Sequence, residues 1–197
     1  MVPVLSRDYR MKLIRILRAG VPRSGAFCLC LALALAGCDT QEAQEEFVDD
    51  ANQLPAGATV ILDDSFGGAI CREDADDWRI APVYNGVVFV DRPPAPNPVS
   101  SALVTVTLRV LQFDRVRGGL VLRAFGAANT LLVLDTILDA GAPGEYIFQF
   151  SPSLLSENGI HRLYIFDSFS EIVSYGDLFV VAQPAPTCSV AITLIGG

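Results

Sequence analysis

The densest chemistry in the chain is Glu73-Asp74-Ala75-Asp76-Asp77-Trp78, four carboxylates beside the only tryptophan. Asp63 and Asp64 lie ten residues upstream, across a turn expected at Gly67-Gly68. Calcium takes roughly six to eight hard oxygen ligands, and clustered carboxylates supply them. Asp63, Asp64, Glu73, Asp74, Asp76 and Asp77 are therefore the candidate calcium ligands. The spacing is not that of an EF-hand, which needs a central glycine and a closing bidentate glutamate. A solvated acidic loop has the same composition. Paired carboxylates also serve glycosidases, but only at a defined separation in space. Trp78 has two readings: a platform for a sugar ring, or a packing residue of the kind a sole tryptophan usually is.

His161 is the only histidine. One histidine cannot build the zinc sites made from several His or Cys ligands. As a general base it would need a nucleophile, and none is marked near it in the sequence. There is no Gly-x-Ser-x-Gly elbow. The expected role of His161 is a residue on the rim of a strand.

The five cysteines sort by position. Arg7, Arg10, Lys12, Arg15, Arg18 and Arg23 form a basic stretch, and an apolar run from Ala26 to Ala36 follows it. That run is about half of the roughly 20 residues needed to span a bilayer as a helix, and a basic head before a short apolar core is the pattern of an export signal. Met11 could serve as the start, because the residues after it already supply the basic region. The run ends in Leu35-Ala36-Gly37-Cys38. This resembles the lipobox of bacterial lipoproteins. The resemblance covers residues 11–40, and implies a diacylglyceryl group on the Cys38 thiol and cleavage just before it. Several acyl chains give stable anchoring where one gives only marginal binding. The implied location is the bacterial cell envelope, facing the periplasm where the cell has two membranes. Asp39 resembles the signal that retains lipoproteins in the inner membrane.

Cys28 and Cys30 fall in the discarded leader, so their spacing is not a metal motif. With Cys38 carrying lipid, Cys71 and Cys188 remain as a pair in an oxidising compartment. They are expected to form a disulfide; two separate buried thiols are the alternative.

After residue 37 the chain holds eight arginines, no lysine and 21 acids. Such a surface repels nucleic acid, whose binding depends on Lys and Arg neutralising phosphates. It repels anionic lipid headgroups as well.

Residues 38–56 are polar and acidic, with too little apolar surface to offset the entropy of ordering. They are expected to be a flexible tether, with transient helix near Ala43 to Leu54. From residue 57 to 197, short strands alternate with turn signals. Ala102, Val104, Val106, Leu108 and Val110 alternate with polar residues; Tyr146, Phe148 and Phe150 do likewise; Cys188, Val190, Ile192 and Leu194 form a last strand. Pro93, Pro94, Pro96 and Pro98 are expected to be a stiff loop, since proline cannot donate to a sheet ladder. The pattern predicts an all-β, antiparallel sandwich behind a cleaved signal helix and a tether. Residues 144–181 resemble the last three strands of immunoglobulin-like domains, although the usual tryptophan and cysteine hallmarks are missing. A jelly roll fits the same strand count.

The expected function is a non-catalytic, membrane-anchored module that interacts with an envelope protein or has a structural role. A carbohydrate-binding module, calcium-stabilised and using Trp78, is the alternative; a hydrolase is third.

Overall fold

A computed structural model describes residues 40–55, 57–61, 70–126, 130–155 and 157–183. The chain divides into two units, Met1–Asp39 and Thr40–Gly197, and every described residue belongs to the second.

The described residues of the second unit form an all-β sandwich with one α-helix. Its strands are β1 (Val60–Ile61), β2 (Ile70–Arg72), β3 (Arg79–Ile80), β4 (Val88–Ala95), β5 (Val104–Val110), β6 (Leu120–Phe125), β7 (Leu131–Ile137), β8 (Gly144–Phe150), β9 (Gly159–Asp167) and β10 (Ile172–Val180). A five-stranded sheet runs β3-β10-β9-β6-β7, a three-stranded sheet runs β4-β5-β8, and β1 pairs with β2. All of this pairing is antiparallel.

The alternation on β5 turns Val104, Val106, Leu108 and Val110 into the core. Phe148 and Phe150 of β8 join them, facing Leu120, Leu122 and Ala124 of β6 and Leu163 and Ile165 of β9. The Asn85-Gly86 turn that leads into β4 places Gly86 at φ 70°, a conformation glycine adopts without a Cβ penalty.

Pro93 and Pro94 correct the expected loop, because both lie within β4. The strand tolerates them because it is the edge of its sheet, and its register shifts between Arg92 and Ala95. An edge strand with a bulge is where a missing N–H costs least.

The expected tether is also corrected. Residues 40–51 form a helix, α1, packed onto the five-stranded sheet. Gln44, Phe47, Val48 and Ala51 recur at the i, i+3, i+4, i+7 spacing of one helical face. Phe47 and Ala51 are fully buried, and the Phe47 ring lies 5.1 Å from that of Tyr175. Buried Phe47 and Ala51, with half-buried Val48, anchor a helix that is otherwise largely acidic.

Candidate functional site

The residues that carry charge into the interior lie where α1 crosses β9 and β10. Arg162 pairs with Asp177 across the two strands, and Tyr164 with Tyr175. Strand alternation puts all four on the face that α1 covers. Arg162 donates to both carboxylate oxygens of Asp177, at 2.8 and 2.9 Å, in the bidentate geometry that makes such pairs strong. Its third nitrogen, Nη1, donates to the carbonyls of Asp50, Ala51 and Gln53. These are carbonyls at the end of α1, which have no partner inside the helix. Tyr164 Oη donates to the Ala51 carbonyl at 2.9 Å. A cation at a helix C-terminus also meets the negative end of the helix dipole. The guanidinium sits 4.9 Å from the Tyr175 ring centre. Burial works against the charge on both partners and raises the Asp177 carboxyl, while the Arg162 hydrogen bonds oppose that rise.

The acidic turn between β2 and β3 approaches the same cluster. Asp77 accepts the Thr59 amide at 2.6 Å and the Asp177 amide at 2.8 Å, one on each oxygen. It thereby clamps the segment before β1 to the middle of β10. Asp74 and Asp76 hydrogen-bond each other; that bond raises the Asp74 carboxyl and lowers the Asp76 carboxyl. Glu73 is exposed, and Asp76 lies 3.8 Å from Arg162. Asp63 and Asp64 lie outside the described residues. Among the described residues no three His, Cys, Asp or Glu side chains converge as metal ligands would. The two oxygens of Asp77 are already committed to backbone amides.

Burial pushes the Asp77 carboxyl up to about 7, with the neighbouring Asp177 charge adding to the rise. In the unfolded chain an aspartate titrates near about 4. Between these values the folded protein holds a proton that the unfolded chain has released. The resulting stability is full below about pH 4 and is lost as the pH rises through about 7, with a slope of up to about 1.4 kcal/mol per pH unit. Asp77→Asn is expected to remove that slope, even though its amide lowers stability by placing a donor against a backbone N–H. Urea midpoints of both proteins from pH 5 to 8 measure the difference; parallel curves would refute the assignment.

Trp78 is buried, with φ 58°, and its ring covers Gly176 of β10. A Cβ at Gly176 would come within 2.3 Å of the indole, so that position has room only for glycine. This corrects the sugar-platform reading of Trp78, because the ring is spent on packing.

His161 sits at the rim of β9 with Nε2 2.9 Å from the Glu157 carbonyl oxygen. It lines a hollow of about 370 Å³ with Leu54, Phe125 and Ile160. No charged partner or nucleophile is bonded to it among the described residues.

Three polar anchors have no counterpart in the sequence reading. Asn97 donates to the carbonyls of Thr59 and Asp177 and accepts the Phe179 amide, joining the segment before β1 to β10. Asp167 accepts the Tyr84 hydroxyl at 2.8 Å and the amides of Phe169 and Glu171. Burial, reinforced by the Asp167 bond, raises the Tyr84 hydroxyl. Asp177 interrupts an otherwise largely apolar stretch. A charged residue at matching positions of two neighbouring strands is the signal that would have found the Arg162–Asp177 pair.

Cys71 lies on β2, while Cys38 and Cys188 lie outside the described residues. Among the described residues no helix is long and apolar enough to cross a membrane. The chain matches no family model, no curated protein and no solved structure.

Proposed function

We propose that this chain is a bacterial envelope lipoprotein, cut before Cys38 and anchored through that thiol, whose sandwich is a non-catalytic module for binding an envelope protein. The lipobox, placed after a basic region and a short apolar run, supports the anchor. The reading includes a Cys71–Cys188 disulfide, formed by the two cysteines left after leader and lipid are assigned. The division of β8 into one sheet and β9 and β10 into the other supports immunoglobulin-like topology over a jelly roll.

One observation carries the interaction role. β7 ends the five-stranded sheet and β8 ends the three-stranded sheet, and neither has a further strand beside it among the described residues. Leu131 and Val133 of β7 are 37% and 56% exposed, exposed Phe125 of β6 pairs with Leu131, and Ile147 of β8 is exposed too. An open edge with exposed apolar side chains is a ready partner surface, which soluble monomers normally blunt. Here Asp135 blunts it by accepting the Gln149 amide at 2.7 Å, and β8 carries Glu145 paired with Arg109. The buried Arg162–Asp177 pair and Asp77, by contrast, are consumed by bonds within the fold.

Cross-linking in intact membranes, followed by capture of the native lipoprotein, tests the role. A defined protein partner is expected, cross-linked through β7 and lost in Val133→Glu. Capture of glycan alone, or a cross-link indifferent to Val133→Glu, would overturn it.

A further inference from the structure

The strand register gathers four connections at one end of the sandwich. Val88 pairs with Val110, Val110 with Gly144, Leu120 with both Ile137 and Asp167, and Ile172 with Phe166. The segments 81–87, 111–119, 138–143 and 168–171 therefore lie together. Hydrogen bonds tie them: Gln112 Nε2 to the Gly86 carbonyl, the Asp114 amide to the Gly141 carbonyl, and Ser168 Oγ to the Arg117 carbonyl. Their tips are apolar. Leu138 is 88% exposed, Phe113 71%, Phe169 65% and Leu111 50%. Polar residues normally occupy such turns, so four large apolar tips on one rigid end call for a covering surface.

The helix says what covers it. Gln44 accepts the Val83 amide at this end, while Ala51 sits at Tyr164 and Arg162, well down the strands. Going back along α1 therefore leads toward the loop tips. Thr40 lies about 6 Å beyond Gln44 along the helix. Two further residues of chain, at most about 7 Å, reach Cys38.

Arg115 and Arg117 stand exposed at the same end. Arg79, Arg109 and Arg162, by contrast, are engaged by carboxylates. Asp114, Asp139 and Glu171 share the loops with them, and Asp139 is held by the Gly141 amide. These loops carry three carboxylates against the two guanidiniums, and Glu42, Glu45 and Glu46 of α1 lie toward the same end, so the apolar tips and the nearness of the anchor, not net charge, favour a lipid surface.

We infer that this loop end rests in the surface of the phospholipid bilayer that holds the anchor, with Phe113, Leu138 and Phe169 among the acyl chains and Arg115 and Arg117 at the phosphates. The inference rests on the anchor reading above. The domain then lies on the membrane, with the β7 edge and the hollow beside His161 available for a partner.

The test uses the full lipidated chain in vesicles of phosphatidylcholine and phosphatidylglycerol, with part of the phosphatidylcholine brominated on its acyl chains. Phe113→Trp, Leu138→Trp and Phe169→Trp are each expected to lose most of the added emission to bromine quenching. Leu54→Trp, past the far end of α1, is expected to lose none; buried Trp78 sets the baseline. Flotation of the same vesicles compares wild type with Cys38→Ser. If wild type floats, Cys38→Ser does not, and the tips stay unquenched, the anchor stands and this inference fails. If Cys38→Ser floats with quenched tips, the bilayer contact stands and the anchor reading fails. If wild type does not float, both fail.

Discussion

Arg162→Leu is expected to destabilise the protein by about 3–5 kcal/mol, the usual cost of removing one partner from a buried ion pair. Arg162 and Asp177 are 6% and 1% exposed, so the remaining carboxylate has no water to turn to. The substitution also removes a donor from the carbonyls of Asp50, Ala51 and Gln53, of which Asp50 keeps the Gln53 amide and Ala51 keeps the Tyr164 hydroxyl. For a domain of ordinary stability this is a third or more of the total. The urea midpoint should fall accordingly, and proteolysis should open first at residues 51–55. Arg162→Lys keeps the charge but not the planar fork, and it cannot serve Asp177 and the helix end together. It should recover only part of the loss. Arg162→Leu with Asp177→Leu should recover more, because it leaves no unpaired charge. A single variant within about 0.5 kcal/mol of wild type would show that the pair is dispensable.

The strands were legible because burial on one face leaves period two in the sequence. β6 and the alternation of β5 and β8 stand as residues 120–125, 102–110 and 146–150 imply. What could not be read was any contact between elements distant in sequence. Arg162 and Asp177 are 15 residues apart and the Asp50 carbonyl is 112 from Arg162, so no local pattern joins them. α1 was legible only as transient helix, for a related reason. Its helix depends on a docking site that the sequence around it does not contain, since a helix of about a dozen residues is marginal alone. The acidic turn was visible as a cluster of charge. Its main act, Asp77 holding two distant amides, depends on β10 and on the segment before β1. Trp78 read as a packing residue ahead of a sugar platform, and Gly176 beneath its ring is the contact that the sequence could not supply.

Phe47→Ala is expected to cost about 3–5 kcal/mol, as truncation of a buried aromatic does when its site cannot collapse. Phe47 is 1% exposed; it packs against Tyr175, and the Arg79 guanidinium lies 5.9 Å from its ring centre. The loss has a ceiling, however. Once the truncation costs more than docking contributes, α1 leaves the sheet and the sandwich carries on without it. Hydrogen exchange should then accelerate across residues 40–51 well before it does in β6 and β9. Leaving the sheet would also take the helix-end carbonyls away from Arg162, so Phe47→Ala and Arg162→Leu act on the same event. The double variant should therefore cost less than the sum of the singles by more than about 1 kcal/mol, whereas independent sites add to within about 0.5 kcal/mol. Additive losses would mean that α1 stays docked without Phe47, held by its cap alone. In the lipidated protein an undocked α1 would give residues 38–55 the slack of a true tether. Bromine quenching at Phe113→Trp should then weaken in the Phe47→Ala background while Cys38-dependent flotation persists. Helix docking, rather than lipid alone, would then hold the loop end at the bilayer.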